Sequence, residues 1–406
     1  MTTSSAASAG PLKGVRVIEL GQLIAGPFCG KTLADFGAEV IKIEPPGKGD
    51  PLRKWRMLKN GNSVWWEVQS RNKQSVTLDL TQSEGQDILR ALVKEADVLI
   101  ENFRPGKMEE WGLGYEAMKK LNPRLVMARI SGYGQDGPYC NRPGFGVIAE
   151  SMGGLRYLTA EPGRVPVRVG VSIGDTLAAL HGVIGILMAL YHRDKGDKKA
   201  AGEGQVIDIA LYESVFNCME SLLPEYSAFN TVREAAGSAL PGIVPSNAYP
   251  CRDGWILIGG NGDGIFKRLM TAIGRADFAA SPEMASNEGR VKRVADIDGA
   301  IAAWTGARDK AEALKILDEH DVPSGAIYSI ADIAADAQYR AREMILNITT
   351  RDGYKVDVPG IVPKLSATPG SIRNTAPRLG EDTEAVLQRA GVKAETIADL
   401  RARGVI

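Results

Sequence analysis

Asp175 closes the run Val169-Gly-Val-Ser-Ile-Gly-Asp175, where an apolar stretch of helical character begins. The ordinary explanation is structural. Ser172-x-x-Asp175 fits a capping box, and a carboxylate is favoured beside the partial positive charge of a helix N-terminus. The chemical explanation is that Gly170 and Gly174 let a ligand approach close to backbone, and a carboxylate placed there can act as a nucleophile. On these residues alone both stay open.

A second run is Gly259-Gly260-Asn261-Gly262-Asp263-Gly264, which follows the apolar Trp255–Ile258. Glycine carries the largest backbone entropy cost on folding, so such crowding needs a reason. Bare N–H groups meeting an anion or a reacting carbonyl would be one, and a mobile loop tip would be another. A third concentration is positive charge: Lys42, Lys48, Arg53, Lys54, Arg56, Lys59, Arg71 and Lys73 outnumber the acids between residues 42 and 73. Arg104 and Lys107 follow in and after Asn102-Phe103-Arg104-Pro105-Gly106. Such a cluster suits a phosphorylated cofactor, with Phe103 as an apolar surface. Solvated surface charge is the ordinary reading of any single member. His181, His192 and His320 show no zinc spacing, so no metal is expected.

These groups must be held by an α/β framework. Val15–Leu20 and Glu39–Glu44 read as strands around a helix at Pro27–Phe36, which makes a βαβ unit of a parallel sheet. Further helices are expected near Ser83–Ala96, Tyr115–Leu121, Ile265–Ile273 and Asp309–His320. Strands are expected at Val98–Ile100, Leu125–Ile130, Gln205–Ala210, Trp255–Ile258 and Ala326–Tyr328. After Asn141 the glycines and prolines read as loops up to a long helix from Ser172, and from Asp332 the chain reads as helical again. Gly21 through Gly26, with Glu44 ending the next strand, sketches a dinucleotide site. The glycine spacing is not GxGxxG, however, and Pro27 removes a helix-start N–H. A tight turn explains these glycines better.

The chain has 406 residues and a formal net charge of zero, enough for two domains and without the overall charge that draws proteins to nucleic acid or membranes. Its four cysteines are scattered, and the Ser/Ala-rich start lacks the character of a secretory signal. Reduced thiols and a cytoplasmic location are expected. Val171–Tyr191 is long enough to span a membrane but contains Asp175 and His181, so it reads as a core helix.

The collinear runs Leu12-x-Gly14-Val-Arg-Val-Ile-Glu-Leu, Ala25-Gly26-Pro27, Gly37–Pro45, Arg71-Asn72-Lys73, Asp97–Gly106, Ser131–Pro138, Arg168–Asp175 and Leu379–Thr383 together resemble family III CoA-transferases. The resemblance implies a Rossmann-like large domain with a parallel sheet, over 1–225 and 330–406, with the tail 1–10 disordered. It also implies an inserted smaller α/β domain, over 226–329, carrying the glycine loop, and an interlinked homodimer. It makes Asp175 the nucleophile, with Gly259 and Gly260 donating backbone N–H groups to tetrahedral oxyanions. Lys73, Arg71, Asn102, Phe103, Arg104, Leu23 and Arg142 would hold coenzyme A, and Arg168 and Ile24 would face the acid. CoA and acyl-CoA enter as substrates, no tightly bound cofactor is expected, and succinyl-CoA is the expected donor to a small acid. The chain departs from the family pattern at Gln74, Glu110 and Gly146, the last where relatives commonly carry an acid. The related α-methylacyl-CoA racemases need a His where Gly144-Phe145-Gly146 has none. A non-catalytic CoA- or NAD-binding protein is the remaining alternative.

Overall fold

The computed structural model describes residues 10–195 and 202–406. Of the N-terminal tail expected to be disordered, only Gly10 falls within them. The chain divides into two compact units, one from Met1–Leu155, Val169–Glu220 and Arg340–Ile406, the other from Arg156–Arg168 and Ser221–Tyr339.

The larger unit is built on a six-stranded sheet of β1 (Arg16–Glu19), β2 (Glu39–Glu44), β3 (Lys73–Thr77), β4 (Val98–Glu101), β5 (Val126–Ser131) and β6 (Val206–Ala210). Their order is β3-β2-β1-β4-β5-β6 and every pairing is parallel, the doubly wound order of Rossmann folds. Its helices include α1 (Ala25–Asp35), α2 (Ser83–Val93), α3 (Tyr115–Leu121), α4 (Gly146–Met152), α5 (Ile173–Lys195) and α6 (Leu211–Phe216). In the smaller unit, β7 (Ser246–Cys251), β8 (Gly254–Gly259) and β9 (Ser324–Ala326) form an antiparallel sheet. Tyr249, Ile256 and Ile258 of that sheet pack with residues of α7 (Asp263–Ala272), α8 (Val294–Gly306) and α9 (Lys310–Glu319). Arg156–Arg168 joins this unit through Gly237 N–H to the Ala160 carbonyl and through the Tyr157 hydroxyl to Glu234. The chain then returns to the larger unit as an antiparallel hairpin, β10 (Ile345–Thr349) with β11 (Lys355–Pro359), and ends in α10 (Thr383–Arg389) and α11 (Ala394–Ala402).

The period-two alternation of each strand sorts its residues onto opposite faces. Val17, Val40, Val98, Ile100, Val126 and Ala128 meet α1 and α5. Ile18, Ile41, Ile43, Val76, Leu99 and Met127 meet α2, α3, α10 and α11. Two departures from the expected elements matter. Gly146–Met152 is a helix where glycines at both ends read as loop, and the hairpin of β10 and β11 occupies part of the stretch read as helical. The long apolar helix α5 is also only partly a core helix. It buries Ala178, Ala179, Gly182, Ile186 and Ala189 but leaves Leu180, Ile184, Leu187, Met188 and Tyr191 exposed.

Candidate active site

Sheet order fixes where a ligand can sit. Neighbours β1 and β4 send their following connections to opposite sides, and the crevice this leaves at their C-terminal ends is where such folds bind ligands. A cavity of about 280 Å³ lies there, lined by Gln22–Ala25 after β1, Asn102–Pro105 after β4, and Ser131 and Gly132 at the end of β5. Cys140, Arg142–Phe145 and Asp175 complete it, with Ile130 and Leu211. Seven of the residues singled out in the sequence, Leu23, Ile24, Asn102, Phe103, Arg104, Arg142 and Asp175, thus come together.

Asp175 is half-buried in the first turn of α5, where the helix dipole favours its anionic form. Its position is set by small residues. A Cβ placed on Gly146 would overlap Asp175 Oδ2, and one on Gly174 would lie 3.1 Å from the Gly146 carbonyl oxygen and 3.3 Å from Glu150 Cγ. The start of α5 therefore rests directly on the start of α4.

The opposite wall is positioned by polar side chains that do not all face the ligand. Asn102 Oδ1 accepts from Gln22 N–H at 2.8 Å, and its Nδ2 donates to the Gln22 carbonyl at 2.9 Å. The Asn102 amide is thereby committed to shaping the loop after β1. Phe103 N–H donates to Glu101 Oε2 at 2.8 Å, and the Phe103 ring packs edge-on against Trp111. Arg104 is exposed, and neither it nor Arg142 has a carboxylate partner among the described residues. The Arg142 guanidinium lies 3.8 Å from the Tyr139 ring centroid. Two guanidinium groups with no carboxylate beside them are suited to phosphate.

The remaining basic residues are placed otherwise. Lys73 is buried, its ammonium 2.8 Å from Glu19 and bonded to the Pro27 carbonyl. Burial drives the Lys73 pKa down against the opposing pull of Glu19. Arg71 is fully buried on Asp35 at 2.7 Å and donates to the Pro359 carbonyl. Neither lines the cavity, so both tie the framework together instead of meeting CoA phosphates there. Arg53 likewise pairs with Glu44. Burial alone would raise the Glu44 pKa, but Arg53, Lys42 and Ser75 hold it below its ordinary value. Glu44 is thus not available to hold a ribose.

In the smaller unit the glycine loop differs from its expected role in one respect. Gly259 N–H donates to the Pro323 carbonyl and Gly260 N–H to the Pro245 carbonyl, each at 2.9 Å. Gly260 is glycine for packing, since a Cβ there would lie 2.5 Å from Leu269 Cδ2. At the exposed tip, Asn261 and Gly262 have N–H groups with no acceptor among the described residues. Arg168 is exposed and is not among the residues lining the cavity. Gln22, Cys140 and Phe145 line it without any motif of their own. Their nearness to Leu23, Arg142 and Gly146 in sequence was the available signal.

Residues 12–383 match the family model for CoA-transferase family III. The chain belongs to that family. This CoA-transferase is 46% identical over 399 residues to the succinyl-CoA–D-citramalate CoA-transferase of Chloroflexus aurantiacus, with 98% of each chain covered. It is 42% identical over 402 residues to the beta subunit of the succinyl-CoA–L-malate CoA-transferase of the same organism, again with 98% of each covered. Among solved structures, a CAIB/BAIF family protein from Brucella suis superposes with a TM-score of 0.82 at 34% identity, covering 94% of this CoA-transferase and 99% of that chain. Where the racemases of the resemblance carry their His, this CoA-transferase places Phe145 on the cavity wall, and no histidine is among the lining residues.

Proposed function

We propose that this CoA-transferase moves CoA from succinyl-CoA to a short dicarboxylic acid through covalent intermediates on Asp175. One observation carries the reading. A carboxylate at a helix start shares a crevice with two guanidinium groups that have no carboxylate partners among the described residues, at the switch point of a doubly wound sheet. The donor and the class of acid follow from the relatives, which are named for succinyl-CoA with D-citramalate and with L-malate.

The chemistry balances without another reactant. Asp175 attacks the thioester carbonyl, the C–S bond breaks, and a mixed anhydride and CoA thiolate result. The thiolate attacks the Asp175 carbonyl carbon, which releases succinate and leaves an aspartyl-CoA thioester. The acceptor carboxylate attacks that thioester to give a second anhydride, and the thiolate then takes the acceptor acyl group and frees Asp175. Each step exchanges one activated acyl group for another, which divides a difficult displacement into easier ones. Arg104 and Arg142 hold the phosphates of the nucleotide arm, with Leu23 and Phe103 against its apolar parts. In the glycine loop, Asn261 and Gly262 keep N–H groups with no acceptor among the described residues, the kind of donor that a tetrahedral oxyanion needs. The enzyme works as a homodimer in the cytoplasm, where its four cysteines stay free thiols.

The test is to incubate the protein with succinyl-CoA, quench with hydroxylamine, and map the adduct by peptide mass spectrometry. A hydroxamate on Asp175, absent from Asp175→Ala, is expected. Unmodified Asp175 in protein that demonstrably binds succinyl-CoA would remove the covalent reading.

A further inference from the structure

Leu23 lines the cavity with φ at +62°. That is the left-handed region, which a bulky L-residue rarely enters and holds only where its surroundings over-determine it. The surroundings do so peptide by peptide. Lys42 Nζ donates to the Gly21 carbonyl. Asn102 takes both backbone polar groups of Gln22, accepting from its N–H and donating to its carbonyl. Leu23 N–H donates to Asp50 Oδ1 at 3.1 Å, an oxygen that also accepts from Leu52 N–H at 2.8 Å. Asp50 Oδ2 in turn lies 2.8 Å from Lys42 Nζ, and Glu19 Oε1 lies 3.3 Å from the same ammonium. Asp50, Lys42 and Glu19 are each at most 1% exposed, and none lines the cavity.

A buried ion pair behind a strained residue on a binding wall is costly to build, since two charges must be desolvated. Packing alone does not require it. We propose that Asp50, with Lys42 behind it, is a positioning residue that holds Leu23 in its left-handed conformation and so fixes the wall on which CoA binds. The inference rests on CoA occupying this cavity, as proposed above. It reaches the reaction only through the loop, so it acts on binding and leaves Asp175, on the other wall, in place.

Asp50→Asn keeps the side chain's shape and one acceptor but takes away the nearer of Lys42's two carboxylate partners, leaving Glu19. It is expected to weaken CoA binding, read by calorimetry with CoA itself, by about tenfold. The KM for succinyl-CoA should rise in step, with kcat within about threefold of wild type. The decisive readout is Leu23→Gly, because glycine adopts a positive φ without help. In the Leu23→Gly background, Asp50→Asn should cost less than about twofold in affinity. Equal losses in both backgrounds, or a fall in kcat at unchanged KM, overturn the assignment. If Asp50→Asn alone does not fold, the double variant is read by circular dichroism. Recovery of the fold sustains the assignment, and continued failure overturns it. A wild-type protein that binds no CoA would instead sink the proposed function, and the coupling would still be read from the thermal stabilities of the same four proteins.

Discussion

A methyl group on Gly146 would fill the space that the Asp175 carboxylate occupies, so the nucleophile proposed here has its place only because residue 146 lacks a side chain. Gly146→Ala should lower kcat by about 100-fold, as misplacing a reacting group by about 1 Å does, while the KM for succinyl-CoA changes little. Steady-state kinetics distinguishes this from a binding defect, in which KM would move and kcat would not. The basic residues separate along a different line. Arg71 is buried on Asp35, whereas Arg104 is exposed at the cavity. Removing one partner of a buried pair strands the other charge, so Arg71→Ala should cost about 3–5 kcal/mol in urea denaturation. Arg104→Ala should leave stability within about 0.5 kcal/mol and raise the KM for succinyl-CoA. In sequence the two arginines look alike. Nothing in the Arg71-Asn72-Lys73 run says that Asp35 and Glu19 wait across the fold, which is why Arg71 and Lys73 read as members of a phosphate-binding cluster although each is buried in an ion pair.

At the scale of elements, five of the six strands of the larger sheet and the first helices were legible because their alternation and glycine stops are local signals, whereas β3 and β7 were not among the expected strands. Glu39–Glu44 and Tyr115–Leu121 match residue for residue. Helix α4 was hidden because it is short and carries glycine at its start and just beyond its end, and those glycines serve contacts with α5 and α6 that only the fold creates. The hairpin of β10 and β11 was hidden because its signal is the pairing of two short segments. It lies close to a group the sequence gives no reason to notice. Glu67 is 4% exposed, and its Oε2 has no hydrogen-bond partner among the described residues. Burial, aided by Asp352 in the turn of that hairpin, pushes the Glu67 carboxyl up to about 7. An acid with a raised folded pKa contributes stability below its unfolded value and loses that contribution as pH rises through the folded one. Glu67→Gln should therefore gain on wild type by about 2–3 kcal/mol between pH 4.5 and pH 8. Urea titrations of both proteins at the two pH values test this, and a difference that stays constant with pH would refute it.

At the scale of the whole molecule, the apolar stripe of α5 needs a cover. Leu180, Ile184, Leu187, Met188 and Tyr191 follow helical spacing and are 40%, 48%, 41%, 67% and 71% exposed. A contiguous apolar face of this kind marks a contact surface. A second copy of the chain is the cover that accords with the proposed homodimer. Sedimentation velocity should find a dimer at micromolar concentration, and Met188→Glu with Tyr191→Glu should shift it toward monomer. A wild-type monomer would leave the stripe without this explanation.

The route of the chain through the larger unit carries one more consequence, for synthesis. The outer edge of β3 is covered by residues from the far end of the sequence. Asp382 N–H meets the Ser75 carbonyl, Asp382 Oδ2 accepts from Ser75 N–H, and Thr383 Oγ1 accepts from Thr77 N–H. Val386, Leu387, Ile397, Leu400 and Val405 fill the core beneath the same side of the sheet. A growing chain on the ribosome thus presents β1–β5 long before the segments that close them exist. In that interval it carries an open strand edge above an unfilled apolar floor, the condition in which nascent chains pair wrongly or recruit chaperones. Among the described elements the Rossmann-like unit holds the earliest strand in chain order, yet it closes only once the latest helices have emerged.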